Sequence, residues 1–496
     1  MPWGDTSSRT PTVRLLAVSR RSTSVLLALL LLAAACSGSS AGDTTAPSQD
    51  TDRPDVSVLP PADPDGPDGS TGEPEDEFGP PPNTDDGRLV VQGADAQLTT
   101  MLPDGTEVEP LTQPGTRNSQ ASWAPDGSRV AWVAEDLSTG ELSIALDRFD
   151  RSDFRSVPVD EAPFYLYWDP SAARIAHLGQ SVAGIDLSVA EPFAEDGPTN
   201  RRIDRGQPYF LAWGPDGDEL LVHASGFRLD RIDLGSSTVI VDEFPATFGA
   251  PAWLPDDSLV FADIENEQQF LITTGDAGEG RRPLVTFEGA LRFSVNNDGN
   301  RIVMQATPGD DDDPVVTASA DPTRRGGVEF AVAQTDPTPT PEFDDSLDAV
   351  DRIEPFIPYV MGTFGGEPIA LSTTPAVAMF PSPDGQSVAW FEPSSSGDGA
   401  MVLRVDFRNT IFTTPAFIPS QVLFQDYLPF FDQYELSHDF WSPSSNLFVF
   451  AGRRPGESDD GIWMFDRTTG DIDRIAEGVV ASFTRTPRAA GAASAL

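Results

Sequence analysis

Lysine is absent from this chain of 496 residues, and all 32 of its basic residues are arginine. The absence excludes a P-loop lysine, a Schiff-base lysine and a Ser-Lys dyad, because each of those chemistries needs the ε-amino group. Asp and Glu number 78, so the formal net charge is −46 at pH 7. Since like charges repel, this acidity disfavours a nucleic-acid partner.

Cysteine and histidine are almost as scarce. Cys36 is the one cysteine, which excludes a disulfide within the chain, so packing must hold the fold. No H-E-x-x-H motif and no second cysteine exist to build a zinc site. His177 and His223 fall at the same place in neighbouring repeats, which favours a packing or surface role. His438 and Asp439 are adjacent, and adjacent side chains of a strand point to opposite faces, so the sequence predicts no catalytic pair there.

The N-terminal segment has the features of a secretory signal. Arg20 and Arg21 precede an apolar stretch from Val25 to Ala35, which is too short to span a membrane by itself. Three alanines lead directly into Cys36, and this arrangement resembles a bacterial lipoprotein lipobox. The resemblance implies that residues 1–35 are removed and that Cys36 carries a diacylglyceryl anchor. The alternative is a conventional secreted protein whose cysteine lies near the cleavage site by chance.

Residues 36–86 lack the apolar residues that a packed core needs. Ser37 to Asp86 is dominated by Gly, Ser, Thr, Pro and acids, with 13 Asp or Glu against the single Arg53. Such a composition cannot bury enough apolar surface to offset chain entropy. We therefore expect a disordered tether between the anchor and a folded domain at residues 87–488, with a flexible tail at 489–496.

A short phrase, Trp-x-Pro-Asp-Gly followed by an apolar run, recurs through the folded domain. Copies begin at Trp123, Trp168, Trp213, Trp253 and Phe293, which by subtraction lie 45, 45, 40 and 40 residues apart. Weaker copies begin at Phe380 and Trp441. A period of about 40 to 45 residues built from short apolar strands is typical of a β-propeller, with one four-stranded antiparallel blade per repeat.

In four of the repeats, an Asp-Gly pair predicts a tight hairpin between the first and second strands, because Gly accepts a positive φ. These pairs are Asp126-Gly127, Asp216-Gly217, Asp298-Gly299 and Asp384-Gly385. Two further strands follow in most repeats. We expect the Trp ring of each repeat to wedge between neighbouring blades, where it buries a large area.

The two ends of the repeat array complement each other. Arg88 to Thr112 contains strands for a blade that lacks its first strand, and Val479 to Pro487 is a solitary first strand with Phe483 in the Trp place. Pairing them would close the ring and leave no free sheet edge. Because Ala306 to Thr374 is irregular, the sequence allows six to eight blades, with eight as the best count and seven as an alternative.

These repeats resemble those of the TolB-like propellers, the WD40-like PD40 group. Trp123 to Gly127, Trp213 to Gly217 and Leu102 to Thr112 carry the resemblance, which covers about Arg88 to Pro487. It implies a propeller fold and a scaffold role in the cell envelope. The Phe380 and Trp441 copies depart from the pattern: Pro381 stands where the Trp belongs, and Ser444-Ser445 replaces Asp-Gly after Trp441.

Two segments interrupt the repeats. The first, residues 335–357, begins with prolines and contains a possible short helix from Asp344 to Ile353. The second, residues 412–434, holds seven aromatic residues: Phe412, Phe417, Phe424, Tyr427, Phe430, Phe431 and Tyr434. We expect these aromatics to pack a long loop onto the blades, with a contact surface or a plug in the central channel as alternatives.

Several loops between second and third strands are acidic and would share one face of the disc. They contain Glu135-Asp136, Asp263 and Glu265, Asp459-Asp460, and the run Asp310, Asp311, Asp312 and Asp313. Clustered carboxylates suit Ca²⁺ or a basic partner. Since no spaced calcium-loop motif is present, solvated loops are the favoured interpretation and no cofactor is expected.

The sequence thus predicts a monomeric, membrane-anchored propeller that binds an envelope protein or ligand and catalyses nothing. One alternative is a hydrolase or lyase using acidic residues at the channel mouth, and another is a sensor subunit of a membrane complex. The enzyme would require carboxylates, His438 and arginine to converge at the channel centre, whereas scattering around the rim would favour binding.

Overall fold

The computed structural model describes residues 86–225, 228–234, 239–242, 249–265, 268–275, 280–307, 350–396 and 399–485. The chain divides into the units Met1–Glu75 and Asp76–Leu496, and the described residues belong to the second. The signal segment, Cys36, the tether before Asp86, the acidic run Asp310 to Asp313 and the tail therefore lie outside the described residues. Within the described ranges, no helix has the length and apolar character needed to cross a bilayer.

The described residues form eight four-stranded antiparallel sheets, which confirms the propeller and the count of eight blades. Blade 1 contains β1 (Leu89–Gln92), β2 (Leu98–Met101), β3 (Glu109–Pro110) and β32 (Val480–Phe483). Blade 2 contains β4 (Thr116–Trp123), β5 (Arg129–Asp136), β6 (Leu142–Arg148) and β7 (Arg155–Val159). Blade 3 contains β8 (Pro163–Trp168), β9 (Ile175–Ser181), β10 (Gly184–Glu191) and β11 (Thr199–Gly206). Blade 4 contains β12 (Tyr209–Trp213), β13 (Glu219–Ala224), β14 (Arg228–Asp233) and β15 (Val239–Asp242).

The remaining blades follow in chain order. Blade 5 contains β16 (Ala252–Trp253), β17 (Leu259–Glu265), β18 (Gln268–Thr273) and β19 (Arg282–Phe287). Blade 6 contains β20 (Ala290–Val295), β21 (Arg301–Thr307), β22 (Pro358–Gly362) and β23 (Ile369–Ala370). Blade 7 contains β24 (Ala378–Pro381), β25 (Ser387–Pro393), β26 (Met401–Phe407) and β27 (Thr410–Thr413). Blade 8 contains β28 (Ile418–Pro419), β29 (Leu447–Arg453), β30 (Gly461–Asp466) and β31 (Ile472–Glu477).

The Asp-Gly pairs form the hairpins between first and second strands. At the β4–β5 turn, Gly127 has a φ of 69° and donates its N–H to Ala124 O at 2.9 Å. Asp126 Oδ1 accepts the backbone N–H of Ser128 at 2.9 Å, which holds the turn from the side. Gly217 repeats the positive φ in blade 4, at 74°. The turn chemistry thus recurs with the period of the fold.

The tryptophans wedge between blades in an equivalent way. Trp168 Nε1 donates to Ser122 O at 3.1 Å, and Trp213 Nε1 donates to Tyr167 O at 3.0 Å. Each bond joins one blade to the end of the first strand of the preceding blade. Trp441 Nε1 makes the same bond to Phe380 O at 3.0 Å. Trp168, Trp213 and Trp441 are therefore equivalent in this contact, whereas the Nε1 atoms of Trp123 and Trp253 are buried without a hydrogen-bond partner among the described residues.

The ring closes through blade 1, as the sequence predicts. β32 pairs with β1 in antiparallel register, with Leu89 opposite Phe483 and Gln92 opposite Val480. Beyond the strands, Arg88 N donates to Thr484 Oγ1 at 3.2 Å. The two ends of the domain therefore share one sheet.

Two local expectations are wrong. The part of the expected helix that the structure describes is not helical: Thr286 N donates to Asp351 O at 2.9 Å and Ile353 N donates to Thr286 O at 3.0 Å, so this segment runs along β19. Its burial explains the difference, because Ile353 is fully enclosed in the core. The Trp441 copy also does not begin with one continuous first strand. That strand is split into β28 and an isolated bridge between Trp441 and Phe448.

Candidate functional site

The two halves of the split strand enclose an insertion of residues 420–439, which we call the plug. It contains a π-helical turn (Leu423–Tyr427), a 3-10 turn (Leu428–Phe430) and the short helix α1 (Phe431–Tyr434). The sequence places this insertion at residues 412–434, but Phe412 belongs to β27. The insertion begins later in the chain than predicted because β27 pairs within blade 7 and β28 pairs within blade 8 before the chain leaves the sheet.

Gln433 attaches the plug to the inner strand of blade 4. Its Nε2 donates to Leu211 O and its Oε1 accepts from Leu211 N, both at 2.8 Å. The side-chain amide thus takes the place that a neighbouring strand would occupy. Tyr165 Oη, from blade 3, also donates to the Gln433 backbone carbonyl at 2.9 Å. The plug is therefore held by the first strands β8 and β12, which line the channel.

Three further blades contact the plug. Tyr434 Oη lies 2.9 Å from Gln120 Oε1 of blade 2. Arg292 of blade 6 donates from Nη2 to Asp432 Oδ1 at 2.9 Å, and its guanidinium lies 4.3 Å from the centre of the Phe431 ring. Phe431 also packs edge-on against Phe380 of blade 7, with ring centres 6.2 Å apart. Since first strands from around the ring converge on it, the insertion fills the central channel; of the three interpretations, the plug is the one found.

Titratable side chains do converge in the channel. Asp432, Glu435, His438 and Asp439 all lie within the plug and all are buried. His438 is only 2% exposed, and its Nδ1 lies 2.7 Å from Ser437 Oγ. Burial, together with the nearby Arg485 guanidinium, lowers the pKa of His438 to about 3. The imidazole is therefore neutral at physiological pH.

Convergence alone does not make a reaction centre, because a substrate needs room. The cavity beside Glu435, His438 and Asp439 measures about 10 Å³, which is close to the minimum for one water molecule. Asp439 Oδ1 faces the buried Arg485 at 3.9 Å, while His438 turns to Ser437. The adjacent residues His438 and Asp439 thus bind two different partners, although neither lies in a strand.

The other two histidines are packed inside blades. His177 Nε2 lies 2.9 Å from Asn200 Oδ1, and His223 Nδ1 lies 2.9 Å from Gly249 O. Desolvation by burial lowers the pKa of both rings. The structure places them on second strands, β9 and β13, each opposite a residue of its own first strand.

The acidic loops bind arginines or their own turns. Glu135 pairs with Arg117 at 3.0 Å and Asp460 pairs with Arg453 at 2.8 Å. Asp263 is a buried strand residue that pairs with Arg281. A hydrogen bond from the Ser138 hydroxyl is the main reason that the pKa of Asp136 is lowered. Among the residues that the structure describes, no group of three or more His, Cys, Asp or Glu is placed to hold a metal ion.

The plug also has two exposed aromatic side chains. Phe424 is 43% exposed and Phe430 is 41% exposed, with Gln425 beside them in sequence and also exposed. We call these three side chains the plug surface. A hollow of about 330 Å³ lies beside the start of the plug. Its lining includes Gln425, Asp426, Asp460 and Val479. Sequence reasoning identified the aromatic segment but could not separate its buried members, Tyr427, Phe431 and Tyr434, from its exposed ones.

Comparison with known proteins finds similar folds among solved structures. No protein-family model matches the chain, and no curated protein matches it. Among solved structures, a eukaryotic initiation factor is 12% identical, covers 81% of this chain and 99% of its own, and has a TM-score of 0.48. TolB from Acinetobacter baumannii is 13% identical over 75% of this chain and 82% of its own, with a TM-score of 0.33. An oligogalacturonate lyase in complex with manganese is 12% identical over 79% and 86%, with a TM-score of 0.37.

Proposed function

We propose that this protein is a non-catalytic binding scaffold of the cell envelope, held outside the cytoplasmic membrane by a lipid on Cys36. The observation that supports a binding role is the filled channel. In an open propeller the channel mouth offers a pocket for a small substrate. Here the groups that could perform chemistry are buried inside the plug, and the plug turns Phe424 and Phe430 outward. Exposed aromatics beside polar groups are typical of protein-binding surfaces.

The binding role is tested by capture from solubilised envelopes with the full-length protein. We expect a specific envelope protein or ligand to be retained by the wild type and lost with the double variant F424S/F430S. The matched control is F364S, which removes a phenylalanine of blade 6 that is 70% exposed. Equal retention by all three proteins would show that the plug surface does not bind the partner.

Anchoring is a separate part of the proposal. Cys36→Ser removes the only thiol of the chain, so a diacylglyceryl group could not be attached. We expect the wild type to sediment with membranes, and C36S to remain soluble outside the cytoplasm or to keep its signal segment. Intact-mass measurement checks the lipid directly. A wild-type mature mass without an added lipid would reject the anchor and leave the binding role untouched.

A hydrolase or lyase is the second candidate, favoured by the convergence of Asp432, Glu435 and His438. Catalysis there requires the plug to leave the channel, since the cavity beside His438 is about 10 Å³. Hydrogen exchange of the Glu435 and His438 amides, which donate to Phe431 O and Tyr434 O, reports that opening. Exchange as fast as in exposed loops would support an enzyme, whereas protection close to that of the core strands would favour the scaffold.

A further inference from the structure

Blade 1 leaves part of its neighbour uncovered. Its outer strand β3 has two residues, Glu109 and Pro110, both exposed, whereas the outer strand β7 of blade 2 has five. Blades of a propeller pack face to face, so a shortened outer strand leaves the outer half of the facing sheet without a cover. A groove of about 900 Å³ lies there, between the Leu111–Pro114 segment of blade 1 and the strands β5, β6 and β7.

The floor of the groove is made of small side chains on one face of blade 2. The register places Ala134 opposite Ser143, and Ser143 opposite Pro158. Ala145 is likewise opposite Ser156. Partners across antiparallel strands share a face, so these residues all point into the groove. Small residues and hydroxyl groups let a backbone approach the sheet closely and bond to it.

Aromatic rings lie along the same face. Trp132 is buried at the inner end, and Phe154 is 63% exposed, with the two ring centres 6.4 Å apart. A phenylalanine this exposed contributes little to the core, and its ring face can accept a cation from a ligand. Leu137, which follows the lining residue Asp136, is a second exposed apolar side chain, and its backbone N–H bonds to Gly115 O.

The polar lining consists mainly of acceptors. The lining contains one arginine, Arg151, and four carboxylates, which belong to Asp136, Glu141, Asp147 and Asp160. None of these four carboxylates forms an ion pair within the described ranges. Burial raises the pKa of Asp147, so a cation placed beside this carboxylate would favour its ionised form.

An independent feature indicates a missing donor. Asn118 lines the inner end of the groove and is almost fully buried. Its Nδ2 donates to Ala96 O at 3.0 Å, but its Oδ1 is buried with no hydrogen-bond partner in the part of the chain that the structure describes. Because a buried acceptor without a partner is costly, this oxygen is suited to a donor brought by a ligand.

We propose that this groove binds an extended, arginine- or lysine-rich peptide segment of a partner protein. Its cationic side chains would lie beside the four carboxylates and over Phe154, and its backbone N–H groups would reach Asn118 and the serine hydroxyls. The acidic lining disfavours an anionic polymer by the same charge argument. The inference rests on the proposed binding role but uses a different surface from the plug surface.

The test begins with a random twelve-residue peptide library selected on the full-length protein. Counter-selection uses S156W, whose larger side chain fills the groove. We expect enriched peptides to carry net positive charge and to bind the wild type at least about tenfold more tightly than F154S or the double variant E141Q/D160N, as the loss of a cation–π contact and of charge pairs would give. Affinities are measured by titration calorimetry at low salt.

Matched controls remove the same chemistry elsewhere on the surface. F364S matches F154S, and the double variant E367Q/D473N removes two exposed carboxylates outside the groove. We expect both to bind the selected peptides as the wild type does. Thermal melting of every variant checks that it is folded.

Three outcomes would overturn the peptide proposal: no enrichment over S156W, enrichment of acidic peptides, or affinities unchanged by F154S and E141Q/D160N. Retention of neutral oligosaccharides that is lost in F154S would assign the groove to a carbohydrate instead. Envelope capture that depends on Phe424 and Phe430 while the groove selects nothing would reject this inference and keep the scaffold role. Peptide binding in the groove without envelope capture through Phe424 and Phe430 would reject the plug surface as a binding site and keep the groove inference.

Discussion

The channel and the groove are two places where this ring of similar blades departs from its repeat, and they depart in opposite ways. In blade 8 the chain adds residues 420–439, and the added segment fills a space that the repeat would leave open. In blade 1 the outer strand is shortened, and a space opens that the repeat would fill. In the plug, Asp432 and Gln433 are buried and bound to other blades, whereas the groove carries four carboxylates that form no ion pairs within the described ranges. The insertion therefore joins blades through buried contacts, whereas the shortened strand leaves an open groove.

The largest effect that separates the two regions is expected at Gln433. Gln433→Ala leaves both backbone groups of Leu211 without their plug partners and removes the bond from Gln433 Nε2 to Tyr165 Oη, while the Tyr165 hydroxyl keeps its bond to the backbone carbonyl of residue 433. Buried groups left unpaired cost about 1 to 3 kcal/mol each, so we expect a loss of about 3 kcal/mol in unfolding free energy, measured by urea denaturation. Gln425→Ala, on the exposed side of the plug, is the control and should change little. A loss below about 1 kcal/mol would mean that the plug does not stabilise the ring.

The buried His438 gives the channel a pH dependence. Its folded pKa of about 3 lies below the ordinary value of 6.5, so the unfolded chain binds more protons between these pH values. Stability is therefore complete above pH 6.5 and decreases as the pH falls towards 3. From pH 7 to 4.5 we expect the wild type to lose about 2 to 3 kcal/mol more than His438→Gln.

Chemical denaturation of both proteins across that pH range is the measurement. Because His177 and His223 also have lowered pKa values and remain in the variant, they do not contribute to the difference. Parallel pH profiles for wild type and H438Q would show that the His438 side chain reaches water in the folded protein.

In the groove, the contribution of Asp147 to stability should increase as the pH falls, opposite to that of His438. Burial raises its pKa, so its ionised form is less stable in the folded protein than in the unfolded chain, and this cost disappears as the carboxylate protonates at low pH. Asp147→Asn keeps an oxygen for the N–H groups of Arg148 and Asp153. We expect an increase of up to about 1 kcal/mol in stability at pH 7. A clear decrease in the melting temperature at pH 7 would contradict the cause given for the shift.

The smallest effect is expected at Phe154. Phe154→Ser removes an exposed ring, so the unfolding free energy should change by no more than about 0.5 kcal/mol, as is usual for surface positions. Denaturation curves that overlay within error would place Phe154 outside the core. A loss of 2 kcal/mol or more would make the groove part of the packing and weaken the contrast between the two regions.

The blades could be predicted because their cause is local. A tryptophan and short apolar strands recur at Trp123, Trp168 and Trp213, and the first and third of these repeats also carry an Asp-Gly hairpin signal. The closure could also be predicted, since Phe483 follows the pattern although its repeat is otherwise missing. Both inferences rest on residues close together in sequence.

The plug and the groove could not be predicted because their causes are distant. Gln433 finds its partner in Leu211, more than two hundred residues earlier, and nothing around either residue indicates the pairing. The division of the first strand of blade 8 could not be predicted either. Trp441 keeps the repeat pattern, but β28 lies on the other side of the insertion, more than twenty residues earlier. The groove results from the early end of β3, and its walls come from two different blades.

Blade 1 also determines how the protein would respond to force. The chain enters it at Asp86, whose carboxylate bonds to Ser444 of blade 8, and passes directly into β1. β1 is bonded on both sides, to β2 and to β32, so tension applied through the preceding residues would shear two ladders at once and could not peel one edge. The strand that follows the entering chain is thus an inner strand of its sheet, and its release requires both ladders to break.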